Sequence, residues 1–239
     1  MTCDIISFIY YQYKINQRNQ YIGLKNSRNA CQNYSNINYK ILMKAIYKFS
    51  TIKPLIVSGP SGVGKGSLVT RLLQNSQSFV YSVSLTTRKP RPNEQNGVNY
   101  HFVNKDVFEE NIKNNEFLEV CEVHGNLYGT AKNQINDIIK QNKIPLIEID
   151  VQGAEKINRQ LNNQCVNIFI LPPSISILRE RLIGRKTETS DVVEKRIKNA
   201  ETEIEKAKSF QFYHFIVNDN FETCYKELLE FVNKKYQNL

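Results

Sequence analysis

The segment KPLIVSGPSGVGKGSLVTRLLQN (residues 53–75) sets three kinds of chain in a fixed order. PLIVS (54–58) is an apolar run of strand length, and SLVTRLLQN (67–75) spaces apolar residues at 68, 69, 72 and 73, as one face of a helix does. Between them Gly59 to Lys65 spells G-x-x-x-x-G-K. In such a loop backbone N–H groups converge on phosphate oxygens, and the helix behind adds the positive end of its dipole. Lys65 supplies a point charge for β- and γ-phosphates. The next position usually carries a Ser or Thr whose hydroxyl reaches Mg²⁺; here it is Gly66, and the first hydroxyl comes at Ser67. A chance glycine-rich turn lacks the strand before and the helix after. Gly59, Pro60, Ser61, Gly62, Val63, Gly64, Lys65, Gly66 and Ser67 therefore read as a phosphate-binding loop.

Outward from that loop, strand-length and helix-length patterns alternate, which predicts a parallel sheet with helices on both faces. FVYSVSL (79–85) reads as a strand, NYHFV (99–103) as an edge strand, and EFLEVCEVHG (116–125) as an exposed alternating strand. IPLIEID (144–150), CVNIFIL (165–171) and FIVND (215–219) read as further strands. Helical patterns fill 105–115, 131–142, 152–161, 174–184, 191–208 and 221–236. The expected architecture is a three-layer α/β domain with an inserted, more antiparallel piece around residues 84–130.

The chain has 239 residues, 41% apolar and 23% charged, with no apolar run near the length that spans a bilayer. Its five cysteines are scattered without metal-ligand spacing and suit free thiols in a reducing compartment. The net charge of +9 is uneven, because residues 1–50 alone carry +6. The remainder suits a site for small anions better than a nucleic-acid surface. Residues 1–42 are crowded with Asn and Tyr and show no useful periodicity. Asp4 before the first apolar run, with no basic n-region, argues against a secretory signal. A disordered extension is the expectation, with an organelle transit peptide as the alternative and Met43 as an alternative start.

Four further constellations carry chemistry. SVSLTTRKPRPNEQNGVNYHF (82–102) sets Arg88 and Arg91 three apart, with Ser84, Thr86, Thr87 and Tyr100, a set that suits a monophosphate dianion. EVCEVHGNLYGT contributes Glu119, Tyr128 and Thr130. IEIDVQGA ends a buried strand in Glu148 and Asp150; Asp150 is placed to hold Mg²⁺ directly or through water, with Ser67 as a second candidate ligand. RERLIGRKTETSDVVEKR gathers Arg179, Arg181, Arg185 and Arg196 around a Gly/Thr-rich break, as a lid would. Each has a plain alternative: a solvated basic loop, acids facing water, paired structural carboxylates, or a helical surface stripe.

Together GPSGVGKG, SVSLTTRKPR with its following Glu, Gly, Tyr and Phe, LE and YGT, EIDVQGA, GRKTET with KR, and IVND closely resemble guanylate kinase from about residue 53 to the C-terminus. The resemblance implies a P-loop NTPase fold with its core in 53–83, 131–183 and 196–239, a nucleoside-monophosphate-binding region in 84–130, and a helical lid in 184–195. It implies that the loop and Asn218 bind ATP, with Asn218 near the adenine. It implies that Ser84, Arg88, Arg91, Tyr100, Glu119, Tyr128, Thr130 and Glu148 bind GMP. Arg181, Arg185 and Arg196, with Lys65 and Arg88, would surround the transferring phosphate. ATP and GMP are the implied partners and Mg²⁺ the cofactor; a monomer or weak homodimer is the expectation, with the cytoplasm as the default compartment and an organelle as the alternative. Three departures stand out: Gly66 for a hydroxyl residue, Glu148 where many relatives carry aspartate, and Lys186 for a common lid glycine.

The specificity has its own chemical logic. Guanine presents N1–H and the 2-amino group as adjacent donors, which carboxylates at Glu119 and Glu148 accept, whereas adenine offers an acceptor at N1. Two other functions compete. One is a noncatalytic binding module of the guanylate-kinase-like kind, against which Lys65 is intact. The other is base stacking by the Tyr- and Lys-rich segment 1–42, with a disordered tail as its plain alternative.

Overall fold

The computed structural model describes residues 52–92, 94–123, 125–184 and 189–236, all within a compact unit spanning Thr51–Leu239. The calls on residues 1–42, Met43, Arg185 and Lys186 lie outside the described residues. Five strands form the central sheet: β1 (Leu55–Ser58), β2 (Phe79–Tyr81), β7 (Ile144–Glu148), β8 (Val166–Leu171) and β9 (Tyr213–Val217). Their order is β2-β7-β1-β8-β9, and every pairing is parallel. Seven helices are described: α1 (Lys65–Asn75), α2 (Lys105–Lys113), α3 (Lys132–Lys140), α4 (Val151–Gln160), α5 (Ile175–Ile183), α6 (Ser190–Lys208) and α7 (Phe221–Lys235).

Strand alternation builds two apolar layers, because successive side chains point to opposite faces. Leu55, Val57, Leu146, Ile168, Ile170 and Ile216 meet Leu68 and Leu72 of α1, Leu178 of α5 and Leu228 of α7 on one face. Ile56, Ile147 and Phe169 meet Ile135 of α3 and Ala154 and Ile157 of α4 on the other. α6 serves both layers: Val193, Ile197 and Ala200 join the first and Ala207 the second.

A second sheet, ordered β4-β3-β6-β5, is built from β3 (Leu85–Thr86), β4 (His101–Phe102), β5 (Phe117–Val123) and β6 (Asn126–Ala131). Only its β3–β4 pair is parallel. Its small core is the Phe108–Phe117 stack, with ring centroids 4.6 Å apart, closed by Ala131.

Two expectations are corrected here. FVYSVSL is not one strand. β2 follows Leu146 in the central sheet, with Ser82 N–H still donating to Leu146 O at 2.8 Å, and the chain then crosses to pair Leu85 with Gly129. The segment 116–125 is not simply exposed either, since Phe117, Leu118 and Glu119 are all buried. Its register shifts between Phe117, which pairs with Ala131, and Glu119, which pairs with Thr130. That bulge sends Glu119 to the face opposite Phe117, as an extra residue in a ladder does.

Candidate active site

The loop that follows β1 is braced from behind. Gly64 caps α1 with φ +100°, and a Cβ there would stand 2.5 Å from the Asn218 Nδ2, so glycine is required on both counts. Asn218, only 6% exposed, donates Nδ2–H to Val63 O at 2.7 Å while its backbone N–H bonds Leu171 O. The residue expected near adenine is thus a buried brace of the loop backbone. Lys65 lies over the loop, its Nζ donating to Gly59 O at 2.5 Å and Pro60 O at 3.0 Å. Gly66 leaves open the space facing Glu148, whose Oε2 is 3.9 Å from where a Cβ would stand. Burial pushes the Glu148 carboxyl above the usual carboxylate range, and the Lys65 ammonium pulls it back.

The two candidate metal ligands lie on different elements. Asp150 caps α4, its Oδ1 accepting Gly153 N–H at 2.7 Å. One of its oxygens is therefore committed to the helix N-terminus, as caps require. Ser67 lies on the outer side of α1 with Thr70, Arg71 and Gln74, along a groove ended by Phe221. Among the described residues no cluster of His, Cys, Asp and Glu forms a metal cage.

The second sheet presents the acceptor residues. Arg88 Nη2 donates to Glu94 Oε1 at 2.8 Å and Nη1 to Lys89 O at 2.8 Å. The guanidinium lies 5.4 Å from the Tyr100 ring and 5.7 Å from the Phe102 ring, and the Tyr128 hydroxyl faces it as well. Tyr100 and Tyr128 pack edge to face at 5.7 Å. On the same strand as Tyr128, Thr130 donates its hydroxyl to Glu119 Oε1 at 2.9 Å. The intervening Gly129 faces the other way, where a Cβ would meet the Phe117 ring at 2.7 Å. Glu119 is 5% exposed, and among the described residues its Oε2 has no hydrogen-bond partner. Burial raises its carboxyl above the ordinary value, against the Thr130 hydroxyl.

The remaining expected residues divide. Arg91 has an exposed side chain, and its backbone N–H bonds Glu94 Oε2 at 2.7 Å. Ser84 is half-buried, and its carbonyl accepts His101 N–H. The hydroxyls of Thr86 and Thr87 bond backbone in this structure. They stitch β3 to β6, the first donating to Leu127 O and the second accepting Leu127 N–H. Arg196 reaches the loop, its Nη1 3.0 Å from Ser61 Oγ, and Arg181 bonds Asp219 O at 3.2 Å. Arg179 is instead ion-paired with Glu194 of α6.

The guanylate kinase family model matches residues 51–235. The chain belongs to the guanylate kinase family. It is 46% identical over 178 residues to guanylate kinase 1 of Arabidopsis thaliana, covering 74% of this chain and 46% of that protein. The chain thus spans about half the length of that plant relative, and likewise 46% of its Oryza sativa counterpart. The guanylate kinase of Clostridioides difficile is 44% identical over 174 residues, covering 73% of this chain and 83% of that one. The crystal structure of guanylate kinase from Anaplasma phagocytophilum superposes with a TM-score of 0.61 at 32% identity, covering 77% and 85% of the two chains. The guanylate kinase fold expected from the sequence is therefore the one found, with a mainly parallel central sheet flanked by helices.

One site residue escaped the sequence reading. Glu203 of α6 lies two turns beyond Arg196, a seven-residue spacing that puts both on one helix face. Burial pushes its carboxyl up to about 7; Lys65 pulls the other way and Asp150 adds to the rise. Tyr213 of β9 also faces it. The raised value means that folding favours the protonated form, so this contribution to stability is full below the unfolded value near 4.5 and lost as pH rises through about 7. Glu203→Gln should therefore be more stable than the parent at pH 8.5, by about 2–3 kcal/mol, and similar to it at pH 4.5. Urea melts at the two pH values measure this, and an equal difference at both would refute it.

Proposed function

We propose that this chain transfers the γ-phosphoryl group of ATP to GMP, giving ADP and GDP, and accepts dGMP as well. The observation that carries the reading is the buried Glu119, with an unpartnered Oε2, on the strand pair that also bears the Arg88–Tyr100–Tyr128 cluster. A purine with two adjacent donors satisfies that oxygen, and a phosphate dianion satisfies the guanidinium and phenols. A GMP phosphate oxygen attacks the γ-phosphorus while the bond to the β–γ bridging oxygen breaks, and ADP takes the electron pair. Lys65 exchanges its bonds to Gly59 O and Pro60 O for phosphate oxygens, and Arg196, at Ser61, and Arg181 stand beside the loop for the developing charge.

Mg²⁺ fits the oxygen donors of Asp150, whose second carboxylate oxygen is not taken by Gly153 N–H, and of Ser67; these would hold it directly or through water, and it would supply positive charge against the phosphates. Arg185 adds a further guanidinium for the transferring phosphate, and residues 1–42 are dispensable for turnover. Free Cys121, Cys165 and Cys224 suit a reducing compartment, the cytoplasm or an organelle interior, and the domain works as a monomer or weak homodimer.

Coupled ADP production by residues 43–239 and by the full chain, with GMP, dGMP, AMP and UMP as acceptors, tests this. Turnover selective for GMP and dGMP is expected. A folded full-length sample that binds ATP but turns over no acceptor would refute it.

A further inference from the structure

Glu94 belongs to the motif that follows Arg91, yet neither guanine nor phosphate chemistry gives it a task. The structure does. Its carboxylate spans the turn 88–94: Oε1 accepts Arg88 Nη2–H at 2.8 Å and Oε2 accepts the Arg91 backbone N–H at 2.7 Å. A third bond closes the turn, Glu94 N–H to Arg91 O at 3.1 Å. The pair is shielded, with 14% of the Arg88 and 18% of the Glu94 side-chain surface exposed. Its partners draw the Glu94 carboxyl below the usual range, the Arg88 bond first and the Arg91 N–H second.

We infer that Glu94 is a positioning residue for the acceptor phosphate, acting through Arg88; this rests on the reading of the site as a GMP site. A guanidinium has five N–H donors in a rigid planar fork. Glu94 and Lys89 O occupy Nη2 and Nη1 donors from one side, and the rings of Tyr100 and Phe102 fix the plane. The Tyr128 hydroxyl faces the same guanidinium, and the phosphate would lie beside the two. Holding that fork before substrate arrives removes the ordering cost from binding. It is also a charge-assisted arrangement that a neutral amide reproduces only by halves, since glutamine has a single acceptor oxygen.

The test compares Glu94→Gln and Glu94→Asp with the parent full-length chain, measuring kcat and KM for each substrate separately. Glu94→Gln should raise KM for GMP by about 10- to 100-fold, the range for a lost charge-assisted bond, and leave KM for ATP within about twofold. Glu94→Asp, which keeps the charge, should recover part of the loss. In an Arg88→Ala background, Glu94→Gln should add little further, because both changes act on one group. Equal rises in KM for both substrates, a fall in KM for GMP (Glu94 then competing with phosphate for Arg88), or full additivity with Arg88→Ala would each overturn the inference. The parent arm separates the two claims: parent turnover of GMP upholds the functional reading whatever Glu94 does.

Discussion

Lys65→Ala should lower kcat by about 10³-fold, the scale for removing a preorganised donor from developing charge, while GMP binding measured by calorimetry stays within about twofold. The split follows from where the residue stands. Lys65 opens α1 and reaches the loop carbonyls of Gly59 and Pro60 and the field of Glu148 and Glu203. The acceptor cluster sits on the other sheet. Loss of the ammonium leaves the carboxyls of Glu148 and Glu203 without the opposing charge of Lys65, which adds repulsion toward an incoming polyphosphate. The loop itself should survive, since Asn218 still holds Val63 O and Arg196 still holds Ser61. Lys65→Arg guards against a folding explanation: a planar fork keeps the charge but cannot occupy the site of a compact point donor, so it should restore stability and little turnover. Parent-like kcat in Lys65→Ala would remove the lysine from the chemistry.

How much of this was legible in the sequence depends on what kind of interaction fixes each residue. The loop, its flanking strand and its helix were readable because each is specified locally, by glycines, a β-rich run and a 3.6-residue period. Glu119 was readable as a residue and not as a direction. Period-two alternation puts Phe117 and Glu119 on one face; the bulge that separates them is a property of pairing with Thr130 and Ala131, strand partners that a local pattern does not name. The same limit split FVYSVSL, whose two halves belong to different sheets because their partners, Leu146 and Gly129, do. Asn218 and Asp150 show a third case. Both are polar residues at strand ends in the right neighbourhood, and both side chains are drawn into backbone bonds, at Val63 O and Gly153 N–H. Asn and Asp readily bond nearby backbone, and only the fold shows which group they take. Glu203 was missed because a carboxylate in a long charged helix reads as solvated until Lys65 and Asp150 are seen beside it.

Glu119→Gln should collapse the preference for GMP over AMP by about 10²-fold or more, from a ratio that a hydrogen-bonding site of this kind can set near 10⁴. In the parent, Oε1 is committed to the Thr130 hydroxyl and Oε2 is left for the ligand. Guanine brings two donors to that edge, and an ionised carboxylate accepts both without reorganising. Glutamine divides the same two positions between one acceptor and one donor. If its NH₂ turns to the Thr130 oxygen, one guanine donor is left poorly matched in a buried place. If it turns to the ligand, it repels guanine and suits the N1 acceptor of adenine. Either orientation costs GMP more than AMP, so the ratio falls even where kcat is kept. The pH dependence gives an independent readout. Burial raises the carboxyls of Glu119 and Glu148 in the free protein, and the proposed GMP site uses both in the ionised form. Affinity for GMP should therefore weaken as pH falls through their raised range, with Lys65 opposing the shift at Glu148 and Thr130 opposing it at Glu119. In Glu119→Gln the Glu119 share of that acid limb should vanish and the limb become shallower. An unchanged GMP-to-AMP ratio, with an unchanged acid limb, would mean that the base is read elsewhere and that the free oxygen of Glu119 is not its acceptor.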